Sequence, residues 1–375
     1  MDLKRVHVVE SGAVWRKPDH VFGYAAWPSV CKDSQGRLTV AFSGCRIMHV
    51  CPYGKVLVMK SKDEGRTWSS PIIAIDTPLD DRDAGILHLG GGKMLVTSFN
   101  NSREVQRCNA DRGIYGGKER LDMVYAYLPN VTDKAEEAYL GYNMAVSEDD
   151  GCTWSEPYRV PVSAPHGPTM MRDGTILYAG IPYGLTEEER QPFPIWIYTS
   201  KDGKSFDLLA KIPKCPEIMH CLHCEAHILE LPSGRLLLHI RVDEWGKKYE
   251  ERLFSTVQTW SDDGGKTWTV PKLLNNGGAP PHLMQHSSGA LICTYGKRRP
   301  PYGIQVMISY DEGETWDMDY YVREQGDNAD IGYPCSIELD NGDIFTVYYC
   351  KADGDAMASI FYSRWQLPEK HEHGS

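Results

Sequence analysis

The stretch SYDEGETW, residues 309–316, is a polar turn that ends in a tryptophan. Close copies occur three times earlier in the chain, as SKDEGRTW at 61–68, SEDDGCTW at 147–154 and SDDGGKTW at 261–268. In each copy the Asp, Ser and Thr side chains can bond turn amides, the Gly tolerates a positive φ, and the Trp can anchor the turn in an apolar seam. A shorter fifth copy, SKDGKSFD at 200–207, has Phe206 where the Trp would stand. The repetition indicates one structural unit used several times.

A second repeat precedes these octets. Six segments pair short aliphatic or β-branched runs around a Gly- or Asp-rich reversal, which is typical of β-hairpins. They are WPSVCKDSQGRLTVAFSG (27–44), AGILHLGGGKMLVTSF (84–99), GPTMMRDGTILYAG (167–180), AHILELPSGRLLLHIR (226–241), PHLMQHSSGALICTYG (281–296) and YPCSIELDNGDIFTVYY (333–349). One such hairpin plus a second hairpin closed by the octet gives four strands per unit. The sequence therefore predicts an all-β fold, a six-bladed β-propeller with four-stranded antiparallel blades.

The last blade lacks an octet, so we expect ASIFYSRWQ (358–366) to be its final C-terminal strand and KRVHVVESG (4–12) to complete the ring. Residues 100–140 are interpreted as an insertion in the second blade, and within this region only 132–143 is predicted to form a short helix. We expect one propeller domain over residues 1–370. Residues 371–375 are interpreted as a possible tag or disordered tail.

Composition limits the classes of partner. A net charge of −11 on 375 residues argues against nucleic acid or an anionic membrane. The N-terminus lacks the apolar core of a signal peptide, and the eleven cysteines follow no framework spacing, so we expect a cytoplasmic protein. No cofactor is predicted, and the sequence does not indicate an oligomeric state.

Candidate functional residues cluster at the start of each blade's first strand, which propellers direct toward the central channel. They are Trp27, Asp83, His166, Glu225, His282 and Tyr333, with Arg46, Arg82, Arg241, Arg298 and Arg299 nearby and His227 two residues after Glu225. Arginines could bind a sugar carboxylate, and the carboxylates, histidines and tyrosine could move protons. Taken singly, each has a structural alternative: a channel histidine can be a hydrogen-bonded core residue, and Asp83 with Arg82 can be a loop ion pair.

The repeated octet resembles the Asp box of the sialidase superfamily, and six such blades span essentially the whole chain. The resemblance implies that Asp63, Asp149, Asp263 and Asp311 are structural, because Asp boxes lie on the face away from the active site in that family. It also implies that Tyr333 attacks the anomeric carbon, that Glu225 takes its proton, and that Arg241 binds a substrate carboxylate. A neutral phenol can approach a carbon bearing a carboxylate without like-charge repulsion.

Two positions depart from the sialidase pattern. The first blade has Ala26 where the resemblance implies an arginine, and the loop RIMHVCPYGK (46–55) has His49 but no carboxylate where an aspartate acid/base is expected. The proton donor is then Asp83 or His49, of which we favour Asp83 because it begins a channel-facing strand. The remaining carboxylate-binding arginine is Arg298 or Arg299, and spacing does not choose between them.

Three functions remain open from the sequence. We expect an exo-glycosidase that removes a terminal, sialic-acid-like sugar from a carbohydrate. The alternatives are a hydrolase or lyase of the same fold for a uronic acid or deoxysugar, and a non-catalytic carbohydrate-binding propeller, which would explain the departures directly. A zinc site at Cys221, His223, Cys224 and His227 is disfavoured because no second ligand pair completes it and strand alternation separates neighbours, so no metal is predicted.

Overall fold

The chain forms six antiparallel sheets arranged as the blades of a propeller in a computed structural model. The structure describes residues 3–186, 189, 194–248, 251–324, 326 and 328–369. Residues 371–375, interpreted above as a tag or tail, lie outside the described residues. The predicted six-bladed β-propeller is confirmed.

Each of the first three blades follows the order of the chain from the channel outward. Two N-terminal strands, β1 (Lys4–Arg5) and β2 (His7–Trp15), precede blade 1. Blade 1 contains β3 (Tyr24–Lys32), β4 (Leu38–Arg46), β5 (Lys55–Ser61) and β6 (Ile72–Ile75). Blade 2 contains β7 (Arg82–Gly90), β8 (Lys93–Phe99), β9 (Tyr142–Ser147) and β10 (Tyr158–Arg159). Blade 3 contains β11 (Val162–Ser163), β12 (Thr169–Met170), β13 (Ile176–Pro182), β14 (Trp196–Ser200) and β15 (Asp207–Lys211). Its inner strand is split into β11 and β12, which both pair with β13, because Pro165 and Pro168 interrupt the ladder.

The last three blades use the rest of the chain. Blade 4 contains β16 (Leu222–Glu230), β17 (Leu236–Asp243), β18 (Phe254–Ser261) and β19 (Lys272–Leu273). Blade 5 contains β20 (His282–Gln285), β21 (Leu291–Lys297), β22 (Gly303–Ser309) and β23 (Asp317–Glu324). Blade 6 contains β24 (Gly332–Glu338), β25 (Ile344–Cys350) and β26 (Ser359–Gln366). All six predicted hairpins are confirmed as the inner strand pairs.

The N-terminus closes the ring as predicted. Strand β2 pairs antiparallel with β26, from His7 opposite Gln366 to Trp15 opposite Ile360, and so becomes the outer strand of blade 6. An additional closure was not predicted: β1 pairs in parallel with β23 of blade 5. The two pairings cover the outer edges of both blades and join the ends of the chain.

The insertion between β8 and β9 is more helical than the sequence indicated. It contains α1 (Arg103–Asp111), α2 (Lys118–Tyr127), a 3₁₀ turn (Leu128–Asn130) and α3 (Asp133–Tyr139). A separate 3₁₀ turn (Pro216–Ile218) lies outside the insertion, just before β16. Only α3 was predicted. The helices pack on the 46–54 loop of blade 1, where Tyr115, Val124 and Leu128 bury Ile47 and Cys51. This tertiary contact stabilises α1 and α2, which at 9 and 10 residues are too short to be stable on their own. Across the described part of the chain, no helix has both the length and the apolar character needed to cross a bilayer.

The four full octets have one hydrogen-bond pattern. In the box at 261–268, Ser261 Oγ donates to Asp263 Oδ1 at 2.8 Å, and Asp263 accepts the Thr267 amide at 2.9 Å and the Thr267 hydroxyl at 2.7 Å. The octet tryptophans pack in the seams between blades, as Trp268 does among residues of blades 3 and 4. The shorter copy keeps the bond from Ser200 Oγ to Asp202 Oδ1, at 3.1 Å. Each box therefore holds one turn and fastens it to an apolar seam between blades.

The boxes lie on the face opposite the channel mouth described below. They follow the ends of β5, β9, β18 and β22, each of which is the third strand of its blade. The channel mouth lies at the other end of the blades, where the first and third strands begin. The expected structural role of Asp63, Asp149, Asp263 and Asp311 agrees with this position. All eleven cysteines are free thiols, so no disulfide frames the fold.

We expect Asp263→Ala to lower the Tm at neutral pH without changing the channel, because it removes the acceptor that organises the turn. The turn's hydrogen bonds lower the pKa of Asp263 from 3.8 to about 2, so this stabilisation is present above 3.8 and is lost as the pH falls toward 2. The Tm gap between wild type and variant, measured by thermal denaturation, should therefore close over that interval. The control is Asp262→Ala, which removes only an exposed ion pair with Arg235. Equal Tm losses in the two variants would contradict a special role for the box aspartate.

Candidate active site

Four channel strands present a side chain from a strained backbone position. Trp27, Asp83, Glu225 and Tyr333 have φ of 54°, 52°, 52° and 49°, the left-handed region that bulky residues rarely adopt. Each lies at a break in strand register in β3, β7, β16 or β24. Such conformations cost about 1–3 kcal/mol each and concentrate at functional sites. Each bulge re-aims its side chain toward the channel, and the same device recurs in four blades.

A cavity of about 450 Å³ opens at the channel mouth. Seven of the residues predicted from the sequence line it: His49, Arg82, Asp83, Glu225, Arg241, Arg298 and Tyr333. They come from all blades except the third, so only the closed ring brings them together. The cavity is within the size range of small-molecule sites and combines charged groups with apolar walls.

Tyr333 and Glu225 meet across the channel. The Tyr333 hydroxyl donates a hydrogen bond to Glu225 Oε1, and Arg241 Nη1 donates to Glu225 Oε2 at 2.6 Å. Arg241 Nη2 in turn donates to Asp243 Oδ2 at 2.7 Å. Burial, reinforced by the charge of Glu225, raises the pKa of Tyr333 well above its usual range. The phenol is thus neutral at rest, with a carboxylate already placed to accept its proton.

Asp83 lies in the same cavity as a carboxyl group whose charge is disfavoured. Burial raises its pKa from 3.8 to about 7; Arg82 opposes this rise and Glu225 adds to it. Asp83 Oδ1 has no hydrogen-bond partner within the described structure. The charge of Arg82 alone would favour the ionised carboxylate, but the desolvation caused by burial outweighs it.

His49 is held at the mouth by a polar cluster. Its Nδ1 lies 2.9 Å from Asp330 Oδ1 and 2.8 Å from the Tyr24 hydroxyl. Burial lowers the pKa of His49 below its usual 6.5, although the contact with Asp330 opposes that shift. His49 is therefore neutral and fixed by its neighbours at neutral pH.

Arg46 supports the loop and does not line the cavity. Its guanidinium is fully buried, bonds Asp80 at 2.7 Å, and donates to the His49 carbonyl at 2.9 Å. We expected Arg46 to bind substrate; the structure corrects this, because Asp80 and the loop backbone occupy the side chain. Arg46 acts on the site through His49, whose loop it positions.

Three arginines, Arg82, Arg241 and Arg298, line the cavity. Arg298 lines it, with Nε bonded to the Ile331 carbonyl at 2.9 Å, whereas Arg299 lies outside the described lining and donates to the Arg252 carbonyl. Of the two arginines that spacing left open, Arg298 is the one that lines the cavity. The Arg82 guanidinium lies 4.3 Å from the centre of the Trp27 ring, and its Nε has no hydrogen-bond partner among the described residues.

The channel histidines lie outside the described lining of the cavity. His227 and His282 stack with ring centroids 4.4 Å apart, and His166 meets them edge-on. Burial lowers the pKa of all three, to about 3 for His227. The Nδ1 atoms of His227 and His282 accept the Leu283 and Ser336 amides. This arrangement favours the structural alternative for these histidines, and Trp27, 1% exposed, likewise supports the site beneath Arg82 and His49.

Within the described ranges, no group of three or more His, Cys, Asp or Glu side chains is placed to hold a metal ion. The segment considered for zinc is divided instead. His223 Nδ1 bonds the Cys221 carbonyl at 3.0 Å, Cys224 lines the cavity, and His227 belongs to the stacked histidines.

Sequence reasoning missed several residues of the site. Asp243 follows Arg241 by two positions, so strand alternation could have placed both on one face. Asp330, the partner of His49, carries no such signal because its contact spans 281 positions. Trp245, 70% exposed at the cavity rim, follows β17 in a loop, where an exposed aromatic side chain can indicate binding.

Comparisons with known proteins agree with the fold and the family. Residues 94–346 match the model of the BNR repeat-like domain family, which is more than half of the chain, and the chain belongs to that family. A comparison with curated protein sequences found no match.

Solved structures show how widely this architecture is shared. A protein of unknown function from Dyadobacter fermentans is 22% identical with a TM-score of 0.75, covering 97% of this chain and 99% of that one. A Hadza microbial sialidase is 18% identical with a TM-score of 0.63, covering 95% and 68%. An α-L-arabinofuranosidase from Fusarium graminearum is 11% identical with a TM-score of 0.65, covering 96% and 98%. At these identities the comparison establishes the sialidase-like fold.

Proposed function

We propose that this protein is a retaining exo-glycosidase that removes a terminal acidic, sialic-acid-like sugar from a carbohydrate. The observation that carries the proposal is the hydrogen bond from the Tyr333 hydroxyl to Glu225 Oε1 inside a cavity lined by three arginines. A tyrosine nucleophile needs a base in contact with its hydroxyl, and Glu225 is in contact with it.

In the first step, the Tyr333 oxygen forms a bond to the anomeric carbon while its proton passes to Glu225. The bond from that carbon to the leaving-group oxygen breaks, and Asp83 donates the proton that the leaving oxygen needs. In the second step, Asp83 takes a proton from water as the water oxygen forms a bond to the anomeric carbon. The bond between that carbon and the Tyr333 oxygen breaks, and the Tyr333 oxygen recovers its proton from Glu225. Arg241 holds Glu225 Oε2 throughout, which leaves Oε1 to the phenol.

Asp83 is the better candidate for the acid. A donor should be protonated at the working pH, and a carboxyl with a pKa of about 7 is substantially protonated there. His49 has a pKa below its usual 6.5 and is held by Asp330 and Tyr24. Its ring is therefore a protonated, acidic imidazolium only at a pH below 6.5. We assign His49 a positioning role at the cavity mouth.

A substrate carboxylate would be bound by Arg82 and Arg298. Arg241 lines the cavity too, but its positive charge is already balanced by the carboxylates of Glu225 and Asp243, which its two terminal nitrogens contact. Arg82 comes from blade 2 and lies over Trp27, which follows the position where Ala26 replaces the arginine implied by the family pattern. Arg82 therefore offers a positive charge close to position 26, where the family pattern implies an arginine and this chain has Ala26.

A second function draws on the same departure. The loss of the blade-1 arginine favours a sugar with a differently placed acidic group, such as a uronic acid, or a deoxysugar processed by hydrolysis or elimination. The sialidase and arabinofuranosidase comparisons support a glycosidase in general and leave this choice to experiment. A carbohydrate-binding propeller without activity is the outcome if purified protein turns over no glycoside.

Tyr333→Phe and Glu225→Gln are each expected to reduce kcat by roughly 10²-fold or more, because they remove the nucleophile and its base. The measurement is turnover of a panel of aryl glycosides that includes sialosides, uronides and deoxyglycosides, with thermal denaturation to confirm folding. Tyr348→Phe, which removes a buried hydroxyl bonded to Ser363 in blade 6, is the matched control and should keep kcat. Near-wild-type turnover in a folded Tyr333→Phe protein would refute the nucleophile assignment.

Asp83→Asn should reduce turnover of a natural disaccharide by roughly 10²-fold and that of a nitrophenyl glycoside far less, because only the poor leaving group needs a proton. For the wild type, kcat/KM on the disaccharide should fall as the pH rises through about 7, where Asp83 ionises, and this alkaline limb should be absent from the variant. His49→Gln is the comparison variant. If it shows the leaving-group contrast and Asp83→Asn does not, the acid is His49.

Arg82→Gln should raise KM for an acidic glycoside by about tenfold to a hundredfold, the worth of a charge-assisted hydrogen bond, and change KM for a neutral analogue little. Arg82 is tested in preference to Arg241, because removing the Arg241 guanidinium would also remove its hydrogen bond to the proposed base Glu225. The control is Arg299→Gln, which removes an equal charge outside the described cavity lining. Equal effects of Arg82→Gln on acidic and neutral substrates would remove the carboxylate from the proposed substrate.

A further inference from the structure

The segment just before β24 organises one side of the cavity mouth. Asp330 lies three positions before the proposed nucleophile Tyr333, and its carboxylate meets His49 of blade 1. The carbonyl of the next residue, Ile331, accepts Arg298 Nε from blade 5 at 2.9 Å. One short segment that leads into blade 6 therefore holds groups from two other blades beside the nucleophile.

Asp330 is an ionised acceptor with several partners. The Tyr24 hydroxyl lies 3.0 Å from both carboxylate oxygens of Asp330, and His49 Nδ1 lies 2.9 Å from Oδ1. Burial would raise the pKa of Asp330, but the hydrogen bonds from His49 and Tyr24 and the positive charge of Arg298 hold it below its usual 3.8. The Asp330 amide donates in turn to Asn328 Oδ1 at 2.8 Å. At neutral pH Asp330 is thus a carboxylate, which accepts hydrogen bonds and donates none.

The contact with Asp330 decides which nitrogen of His49 carries the proton. Because a carboxylate only accepts, the 2.9 Å contact requires a proton on His49 Nδ1. The Tyr24 hydroxyl, 2.8 Å from the same nitrogen, directs its own proton to Asp330. His49 is neutral at neutral pH, since burial lowers its pKa below 6.5, and a neutral imidazole carries a single proton. Its second nitrogen, Nε2, therefore keeps a lone pair.

His49 Nε2 adds a kind of group that the rest of the cavity offers sparingly. The ring is half-buried in the cavity lining, and within the described residues no group hydrogen-bonds Nε2. The three arginines that line the cavity can only donate. Glu225 accepts, but Tyr333 and Arg241 already contact its two oxygens. An uncharged acceptor in this position suits a ligand hydroxyl or N–H group and disfavours a carboxylate.

We propose that Asp330 is a positioning residue that holds His49 with Nδ1 protonated, so that His49 Nε2 accepts a hydrogen bond from a hydroxyl or N–H group of the terminal sugar. Asp330 acts through His49 and lies outside the described lining of the cavity. The inference rests on the proposed glycosidase function and specifies how His49 performs its positioning role. The acidic group of the sugar faces the arginines, and a donor group of the same sugar faces His49.

The groups around His49 determine how this acceptor responds to pH. Burial has the largest effect on the pKa of His49 and lowers it; Asp330 raises it, and the charges of Arg82 and Arg298 lower it further. Tyr24 also packs against the ring, but burial keeps its hydroxyl neutral. As the pH falls below the pKa of His49, Nε2 gains a proton and stops being an acceptor. Loss of the Asp330 carboxylate should move that change to lower pH.

The first experiment measures the His49 tautomer and needs no substrate. In protein labelled with ¹⁵N-histidine, the ¹H–¹⁵N spectrum at neutral pH should show His49 protonated at Nδ1, and loss of its signals in His49→Gln assigns them. Asp330→Asn should lower the pKa of His49 and populate the tautomer protonated at Nε2. Asp355→Asn is the matched control, since Asp355 is another carboxylate of blade 6 but bonds Arg16. A wild-type His49 protonated at Nε2, or identical His49 spectra in wild type and Asp330→Asn, would overturn the proposal.

The second experiment follows kcat/KM against pH on an aryl glycoside that the turnover panel shows to be cleaved. Wild-type kcat/KM should fall as the pH drops below the pKa of His49, which lies below 6.5, because the imidazolium has no lone pair. Asp330→Asn should move this acidic limb to lower pH, and Asp355→Asn should leave it in place. His49→Phe, which lacks an acceptor, should lower kcat/KM at neutral pH by about threefold to tenfold, the worth of one hydrogen bond. Unchanged kcat/KM in a folded His49→Phe protein would remove the sugar contact.

A titration separates this proposal from the catalytic one. Sialic acid, glucuronic acid and rhamnose are added in turn to the labelled wild-type protein, and the His49 Nε2 resonance should shift when one of them donates to it. If no glycoside is cleaved yet a sugar shifts this resonance, the catalytic proposal fails and the His49 assignment stands. If none of the three sugars shifts it, the sugar contact fails whatever the turnover panel shows.

Discussion

The pairing of β2 with β26 is the constraint on which the rest of the molecule depends. It supplies the outer strand of blade 6 from the opposite end of the chain and so turns six consecutive sheets into a ring. A closed ring fixes the position of each inner strand relative to the strand across the channel. Glu225 in blade 4 and Tyr333 in blade 6 meet across the channel, so the closed ring holds their contact in place.

The candidate site concentrates backbone strain at the channel mouth. Asp83, Glu225 and Tyr333 all adopt left-handed φ values at breaks in register. Such conformations persist only where surrounding structure over-determines them. The boxes on the opposite face contribute to that surrounding structure, since their turns are fully hydrogen-bonded and their tryptophans fill the seams between blades. The hydrogen-bonded turns thus lie on one face and the strained positions on the other.

Charge and burial act together in the cavity at the channel mouth. Burial keeps Tyr333 neutral and raises the pKa of Asp83 to about 7, and the neighbouring arginines and carboxylates modify both shifts.

The sequence by itself determined the local units and their number. An octet such as SYDEGETW closes a turn with its own side chains, and a Gly-centred hairpin pairs neighbouring strands, so both are readable without knowledge of distant contacts. Tyr333 and Glu225 were found through such units, because each heads a recognisable hairpin. The short helix α3 was predicted, whereas α1 and α2 were missed because they depend on burying the 46–54 loop.

Only the tertiary structure decided what each candidate side chain can do. Arg46 and Arg82 look alike in sequence, yet one is fully buried against Asp80 while the other faces the cavity from above Trp27. The protonation of Asp83 also depends on the fold: its sequence neighbour Arg82 is visible in the chain, but the burial that raises the pKa of Asp83 is not. Burial and charge pairing across a propeller channel join residues that are far apart in sequence, and only closure of the ring fixes which of them meet.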